Sequence, residues 1–244
     1  VKEGAFTLSF VKIIKFASNS KLIRIEKDAF NASVVESLSL PSSVSYLDDG
    51  WCSNTSCLDE VSVFPNKVNN IILYDDKFII GKTDPKSDTF DDLLFACRNI
   101  VKATVPSFVK RIAPYAFSKC TKLNTIEFSE DSQLNLIDKF AFSDSSIKEI
   151  SIPNHVYQIK KGAFISCLEL QNIHFNDDSE LYSFGKNNIG QTFDHFIIPS
   201  KVTKINKKWL GKINNSNINI SIHPKNKNFI AYDEKFILGK SDIN

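Results

Sequence analysis

Three kinds of side chain in this sequence are equipped for chemistry: five cysteines, four histidines and several paired carboxylates. An odd number of cysteines cannot all pair within one molecule. Cys52 and Cys57 flank Ser53-Asn54-Thr55-Ser56 and have two readings, a surface disulfide loop or two free thiols. The pair makes a poor zinc site, because no second pair or nearby His completes four ligands. Cys97, Cys120 and Cys167 lie beside apolar segments and read as buried thiols that act as small apolar side chains. His155 follows Pro153-Asn154 and reads as a solvated turn residue. His174 lies between Ile173 and Phe175, and His195 precedes Phe196, so strand alternation turns both outward. Two such imidazoles form either a pH-sensitive or metal-binding pair or neighbours without a shared role, the reading favoured here. Asp48-Asp49, Asp75-Asp76, Asp91-Asp92 and Asp177-Asp178 read as turn residues. None sits in the ordered, Gly-bearing loop of oxygens that calcium requires. No HExxH, phosphate-cradling Gly loop or Gly-x-Ser-x-Gly elbow occurs, so no catalytic residue, metal ligand or cofactor is assigned. Sequons at Asn31, Asn54, Asn214 and Asn219 are compatible with secretion, at a frequency chance supplies in a chain this rich in Asn and Ser.

The elements that would position these groups must come from an ordinary globular composition. Hydrophobic residues make up 42% and charged residues 24%, which excludes disorder of the whole chain. Lys+Arg number 30 and Asp+Glu 28, a net charge of +2 that argues against a strongly basic nucleic-acid binder. No run approaches the roughly 18 to 20 uncharged apolar residues of a membrane span, and no charged-then-apolar leader stands before the first apolar segment.

The organisation is repetitive. Leu38-Ser39-Leu40-Pro41, Ala103-Thr104-Val105-Pro106, Ile150-Ser151-Ile152-Pro153 and Phe196-Ile197-Ile198-Pro199 share one frame, each followed by Val and then an apolar residue at fixed spacing. Ile126-Glu127-Phe128 and Ile173-His174-Phe175 repeat it with a polar turn in place of Pro, and further copies begin at Ile14, Val61 and Ile220. In phase with this frame stands a small residue followed by a large ring: Ala5-Phe6, Ala29-Phe30, Ala116-Phe117, Ala141-Phe142 and Ala163-Phe164. The apolar-x-apolar tripeptide is a strand with one buried face, and Pro after it ends the ladder. Units of about 20 to 25 residues cannot bury an apolar side alone, so they must stack.

With Ala116-Phe117 before it, Cys120-x-x-Leu123-x-x-Ile126-x-Phe128 resembles the leucine-rich repeat of the BspA-like surface-antigen family of mucosal bacteria and protist parasites such as Trichomonas. Cys167-x-x-Leu170-x-x-Ile173-x-Phe175 after Ala163-Phe164 repeats the match. The resemblance implies an α/β, strand-rich solenoid: a right-handed leucine-rich-repeat superhelix of about nine coils with a parallel concave sheet. A single solenoid domain is expected over 1–244, as a fragment of a longer chain, since Val1-Lys2-Glu3-Gly4-Ala5-Phe6 starts in mid-coil. A β-hairpin-like insert is expected at about 66–98. Its segment Tyr74 to Asp84 returns as Tyr232 to Asp242 in a truncated second insert at about 224–244.

A solenoid offers a long wall of outward side chains free of packing duty. The candidate concave face comprises Lys15, Ser39, Glu60, Ser62, Lys102, Thr104, Thr125, Glu127, Glu149, Ser151, Asn172, His174, His195 and Ile197. It is polar and rich in small hydroxyls, and an apolar anchor would have to come from Phe64, Ile197 or the insert around Tyr74 and Phe78. The resemblance implies a non-enzymatic protein-binding module of a cell-surface or secreted protein, adhering to host cells, matrix or other microbes. The alternative is an intracellular repeat scaffold or spacer. Protein is the expected partner, without nucleic acid, cofactor or membrane insertion.

Overall fold

In a computed structural model, the residues described are 1–17, 19–65, 70–187, 195–206, 208–209, 219–232 and 236–239. The first strands are β1 (Ile13–Lys15), β2 (Arg24–Ile25), β3 (Ser37–Leu40), β4 (Tyr46–Leu47) and β5 (Glu60–Val63). Then come β6 (Ile71–Tyr74), β7 (Phe78–Gly81), β8 (Asp92–Ala96), β9 (Lys102–Val105) and β10 (Arg111–Ile112). They are followed by β11 (Thr125–Phe128), β12 (Leu136–Ile137), β13 (Glu149–Ile152), β14 (Gln158–Ile159) and β15 (Asn172–Phe175). The last are β16 (Ser183–Phe184), β17 (His195–Ile198), β18 (Lys204–Ile205), β19 (Asn219–Ile222), β20 (Phe229–Tyr232) and β21 (Phe236–Gly239).

The chain winds as a β-solenoid of about eight turns. The longer strands begin at residues 13, 37, 60, 102, 125, 149, 172, 195 and 219, in steps of 23 or 24 except for the one that spans the insert. They pair in parallel with like positions aligned, as in Ser37↔Glu60, Thr125↔Lys102, Glu149↔Asn172 and His195↔Asn219. Ile14, Leu38, Val61, Ala103, Ile126, Ile150, Ile173 and Phe196 point into the core from them. The two-residue strands β10, β12, β14, β16 and β18 form a second parallel ladder that starts on β8, with β2 and β4 paired separately. Ile112, Ile137 and Ile159 bury one side chain per coil there.

No described residue is helical. The third side of each coil is a run of turns whose N–H groups alternate in direction. Ala141, Ser143 and Ser145 donate within the coil to Asp138, Phe140 and Phe142, while Phe140, Phe142 and Asp144 donate forward to Lys161, Ala163 and Ile165 of the next coil. An α-helix would spend every one of these donors on itself. The alternation requires two left-handed residues four apart, and Phe140 (φ 58) and Asp144 (φ 56) supply them. Asp28 with Ala32, Tyr115 with Lys119 and Gly162 with Ser166 do the same elsewhere. A left-handed non-Gly residue costs about 1 kcal/mol, and the bonds to the next coil offset it. The Ala-Phe signature fills the space beneath. Phe117 and Phe142 stack at 5.0 Å and 10°, Phe142 and Phe164 at 5.4 Å and 12°, a column of rings inside the solenoid.

Coils approach one another closely. Gly185 donates its N–H to Ile159 at 2.8 Å. A Cβ on Gly185 would lie 2.5 Å from the Lys160 carbonyl carbon and closer still to the Lys161 nitrogen, both backbone atoms that cannot swing away. Gly185→Ala is therefore expected to lower the urea-unfolding free energy by about 2 kcal/mol, as overpacking does; an unchanged midpoint would show that the coils have room to part.

The insert is a meander. β6 and β7 pair antiparallel, β7 and β8 do likewise with a bulge at Ile79/Ile80, and β8 then lies parallel to β10. It therefore rejoins the second ladder in the direction of its other members. Near the end β20 and β21 repeat the hairpin in the same register, Tyr232↔Phe236 matching Tyr74↔Phe78. Asp233, Glu234, Lys235 and residues 240–244 of that copy lie outside the described residues.

Candidate functional site

Strand alternation places every member of the proposed face on the outer side of a longer strand. Lys15, Glu60, Ser62, Lys102, Thr104, Thr125, Glu127, Glu149, Ser151, Asn172, His174, His195 and Ile197 are exposed, and Ser39 is half-buried. The parallel register lines them up in two rows along the solenoid axis. Charges within the rows answer one another across rungs: Lys102 meets Glu127 at 2.7 Å, and His174 Nε2 approaches Glu149 at 3.8 Å. These pairs are solvated and contribute at most about 1 kcal/mol each.

Two shallow depressions interrupt this wall. One, about 630 Å³, is lined by Thr125, Glu127, Glu149, Ser151 and Asn172 with their neighbours. The other, about 250 Å³, gathers His174, His195 and His223 with Asn172, Asp177 and Ile197. His195 Nε2 lies 3.3 Å from Ser221 Oγ. His223 Nδ1 accepts the Lys225 N–H at 3.2 Å, so its Nε2 carries the proton and donates to Asp177 Oδ1 at 3.2 Å. Sequence reasoning missed His223 as a member of this group. Its signal was the register Ile198↔Ile222, which puts it where Pro199 stands one coil earlier. Of the candidate apolar anchors, Ile197 (47%), Phe64 (41%) and Tyr74 (39%) are exposed, whereas Phe78 is buried in the insert against Phe117.

The other chemistry-bearing residues serve the fold. All five cysteines are free. Burial pushes Cys52 and Cys167 up to about 12 and Cys97 up to about 11, and raises Cys120 as well. Only Cys57 is partly exposed, so a thiol reagent at neutral pH is expected to titrate one cysteine in the native protein and five in denaturant. A second fast-reacting native thiol would contradict this packing.

His155 is exposed in its turn, 3.7 Å from Glu180. Asp91 and Asp92 depart from the turn assignment. Both are buried, Asp91 just before β8 and 3.2 Å from Lys110, Asp92 at its first position and 2.9 Å from Arg111. Arg111 also reaches Asp49 and Asp138, tying the coil before the insert to the coils after it. Burial pushes Asp92 up to about 6 despite Arg111, in keeping with its Oδ1, which has no partner among the described residues.

Arg98 has no counterpart in the sequence reading. Its guanidinium is buried among the carbonyls of Thr55, Ala96, Tyr115 and Ala116 and the thiols of Cys52 and Cys120. No carboxylate among the described residues pairs with it. Nor does any group of three or more His, Cys, Asp or Glu among those residues have the arrangement of a metal site. No helix there is long and apolar enough to cross a membrane.

Known proteins share this architecture. A leucine-rich repeat protein from Eubacterium ventriosum superposes with a TM-score of 0.60 at 17% identity, over 90% of this chain and 65% of that one. The pneumococcal vaccine antigen PcpA gives a TM-score of 0.65 at 24% identity, over 91% and 64%. A leucine-rich cell surface protein from Faecalibacterium prausnitzii gives 0.57 at 20%, over 82% and 51%. The chain thus spans about two thirds or less of these neighbours. No curated protein matches it. The model of the BspA type leucine rich repeat region matches six copies over residues 1–75 and 88–219. Since that match takes in most of the chain and the coils it marks are those seen in the fold, the protein belongs to the BspA-type leucine-rich repeat family, whose repeats form protein-interaction scaffolds.

Proposed function

We propose that this chain is a non-enzymatic protein-binding module of a cell-surface or secreted protein, and that it adheres to host cells, matrix or other microbes through the outer side of its longer strands. The observation that carries the reading is the wall itself, two aligned rows of exposed side chains with no packing role. Its depressions are lined mainly by amide, charged and imidazole side chains, suited to a protein surface held by hydrogen bonds and shape. The family supports a protein partner. The surface location draws on the names of two structural neighbours, an antigen and a cell surface protein.

The test is binding of the folded chain to fibronectin and to epithelial cells, with Ser62→Arg, Thr104→Arg and Ser151→Arg introduced together. These outward substitutions should leave the melting temperature unchanged and weaken binding by about tenfold or more. Full binding by the triple variant would move the partner off this wall, and no binding by the parent chain to either probe would remove the adhesive role.

A further inference from the structure

The net charge of +2 conceals a division along the solenoid. Residues 1–180 hold 20 Lys+Arg against 24 Asp+Glu, whereas residues 181–232 hold eight lysines and a single carboxylate, Asp194. Several cations of the earlier coils are answered one coil away: Lys2 by Glu26, Lys12 by Glu36, Arg24 by Asp48, Lys119 by Asp144 and Lys160 by Asp138. In the last coils Lys201, Lys204, Lys208, Lys225 and Lys227 are exposed, and none pairs with a carboxylate of the described residues. The register Ile198↔Ile222 stands Lys201 and Lys225 at equivalent places in the turns after β17 and β19. These turns border the depression that holds His174, His195 and His223.

We propose that this end of the solenoid binds a sulfated or carboxylated polysaccharide along the lysine-bearing edge, with sugar hydroxyls seated against the imidazoles and the amides of Asn172 and Asn176. Unmatched charge of one sign, at equivalent places in two successive coils about 4.8 Å apart, fits a polyanion laid across them and attracts it from a distance. A nucleic acid fits less well. The depression's one Phe, Tyr or Trp ring, Phe175, is half-buried and offers little face on which a base stacks. The groups facing the imidazoles are Glu149 for His174, Ser221 for His195, and Asp177 with the Lys225 backbone for His223. The site shares Asn172, His174 and His195 with the protein-binding wall, but Lys201, Lys225 and Lys227 lie in the turns beside it, off the outer rows.

The experiment measures heparin binding by the full chain at low and physiological salt. Affinity is expected to fall steeply with salt and to drop by about tenfold or more in Lys201→Glu/Lys225→Glu/Lys227→Glu. Lys21→Glu/Lys86→Glu/Lys139→Glu makes the same net charge change on exposed lysines elsewhere and should retain most of the binding. Equal loss in both lysine variants would reduce the effect to net charge and overturn the site. Absence of heparin binding at low salt, or equal binding of polyglutamate or single-stranded DNA, would overturn the polysaccharide. Retention of the fibronectin or cell binding described above in the Lys201 triple variant would show that the two surfaces fail separately.

Discussion

Replacing Arg98 by alanine should cost on the order of 4 kcal/mol of folding free energy, among the largest losses open to a single substitution here. Arg98 is 1% exposed. Nε donates to Thr55 O at 3.0 Å, Nη1 to Ala96 O at 3.1 Å and Ala116 O at 2.8 Å, and Nη2 to Tyr115 O at 3.3 Å. Cys120 Sγ and Cys52 Sγ lie at 3.6 and 3.7 Å, and the Phe95 ring is stacked at 4.4 Å. The location explains the demand. Forward bonds between turns run from Phe30 to Trp51 and from Ala32 to Ser53, and they resume from Phe117 to Ala141. Between those coils the chain is away in the insert, and Arg98 supplies side-chain donors at the break. Each charge-assisted bond contributes about 1.5 to 3 kcal/mol, and the vacated volume adds a cavity term. Removing a buried cation refunds its desolvation cost, which keeps the net well below the sum. Urea titration of Arg98→Ala beside Arg98→Met separates the parts, since methionine restores packing without donors. Stability of the methionine variant within about 1 kcal/mol of the parent would show that the carbonyls need no cation.

Phe142→Ala should destabilise by about 3 to 5 kcal/mol and should also change the shape of the unfolding curve. The ring is fully buried between Phe117 and Phe164, so its loss removes contacts on two sides at once. Each coil touches only its neighbours, and stability is a sum of coil and interface contributions. A gap in the middle of the ring column therefore uncouples the coils before it from those after it. A lower denaturant slope, or two resolved transitions, is expected by circular dichroism. Phe6→Ala near the beginning, where the ring is half-buried on Phe30, should shift the midpoint less and leave one transition. Equal effects at both positions would mean that the column does not transmit cooperativity.

Much of this was legible from residue order because stacking repeats its demands. One buried side chain per strand, one Pro after it and one Ala-Phe per coil recur until the frame is unmistakable, and alternation then sorts the outer rows from the core. What escaped has no local pattern. Phe140 and Tyr115 are unremarkable in sequence, yet both hold left-handed backbone that bonds to adjacent coils make affordable. Asp91 and Asp92 read as turn residues because their cations, Lys110 and Arg111, lie a full coil away. Arg98 stands in an ordinary Cys-Arg-Asn segment, and only the path of the insert shows why it is buried. The histidine cluster was half visible: His174 and His195 follow from alternation, but His223 required the register of the last strands. The basic end was hidden by averaging, since a total near zero says nothing about where the charges lie.

The meander of β6, β7 and β8 leaves the second ladder and returns to it pointing the same way, so the coils on either side keep their phase whatever happens at its far end. Its tip, Asp75-Asp76, is exposed and already in left-handed turn geometry. That makes it a natural graft point: a foreign epitope or reporter spliced there would be carried on the flank of the rod while the rungs around it continued undisturbed.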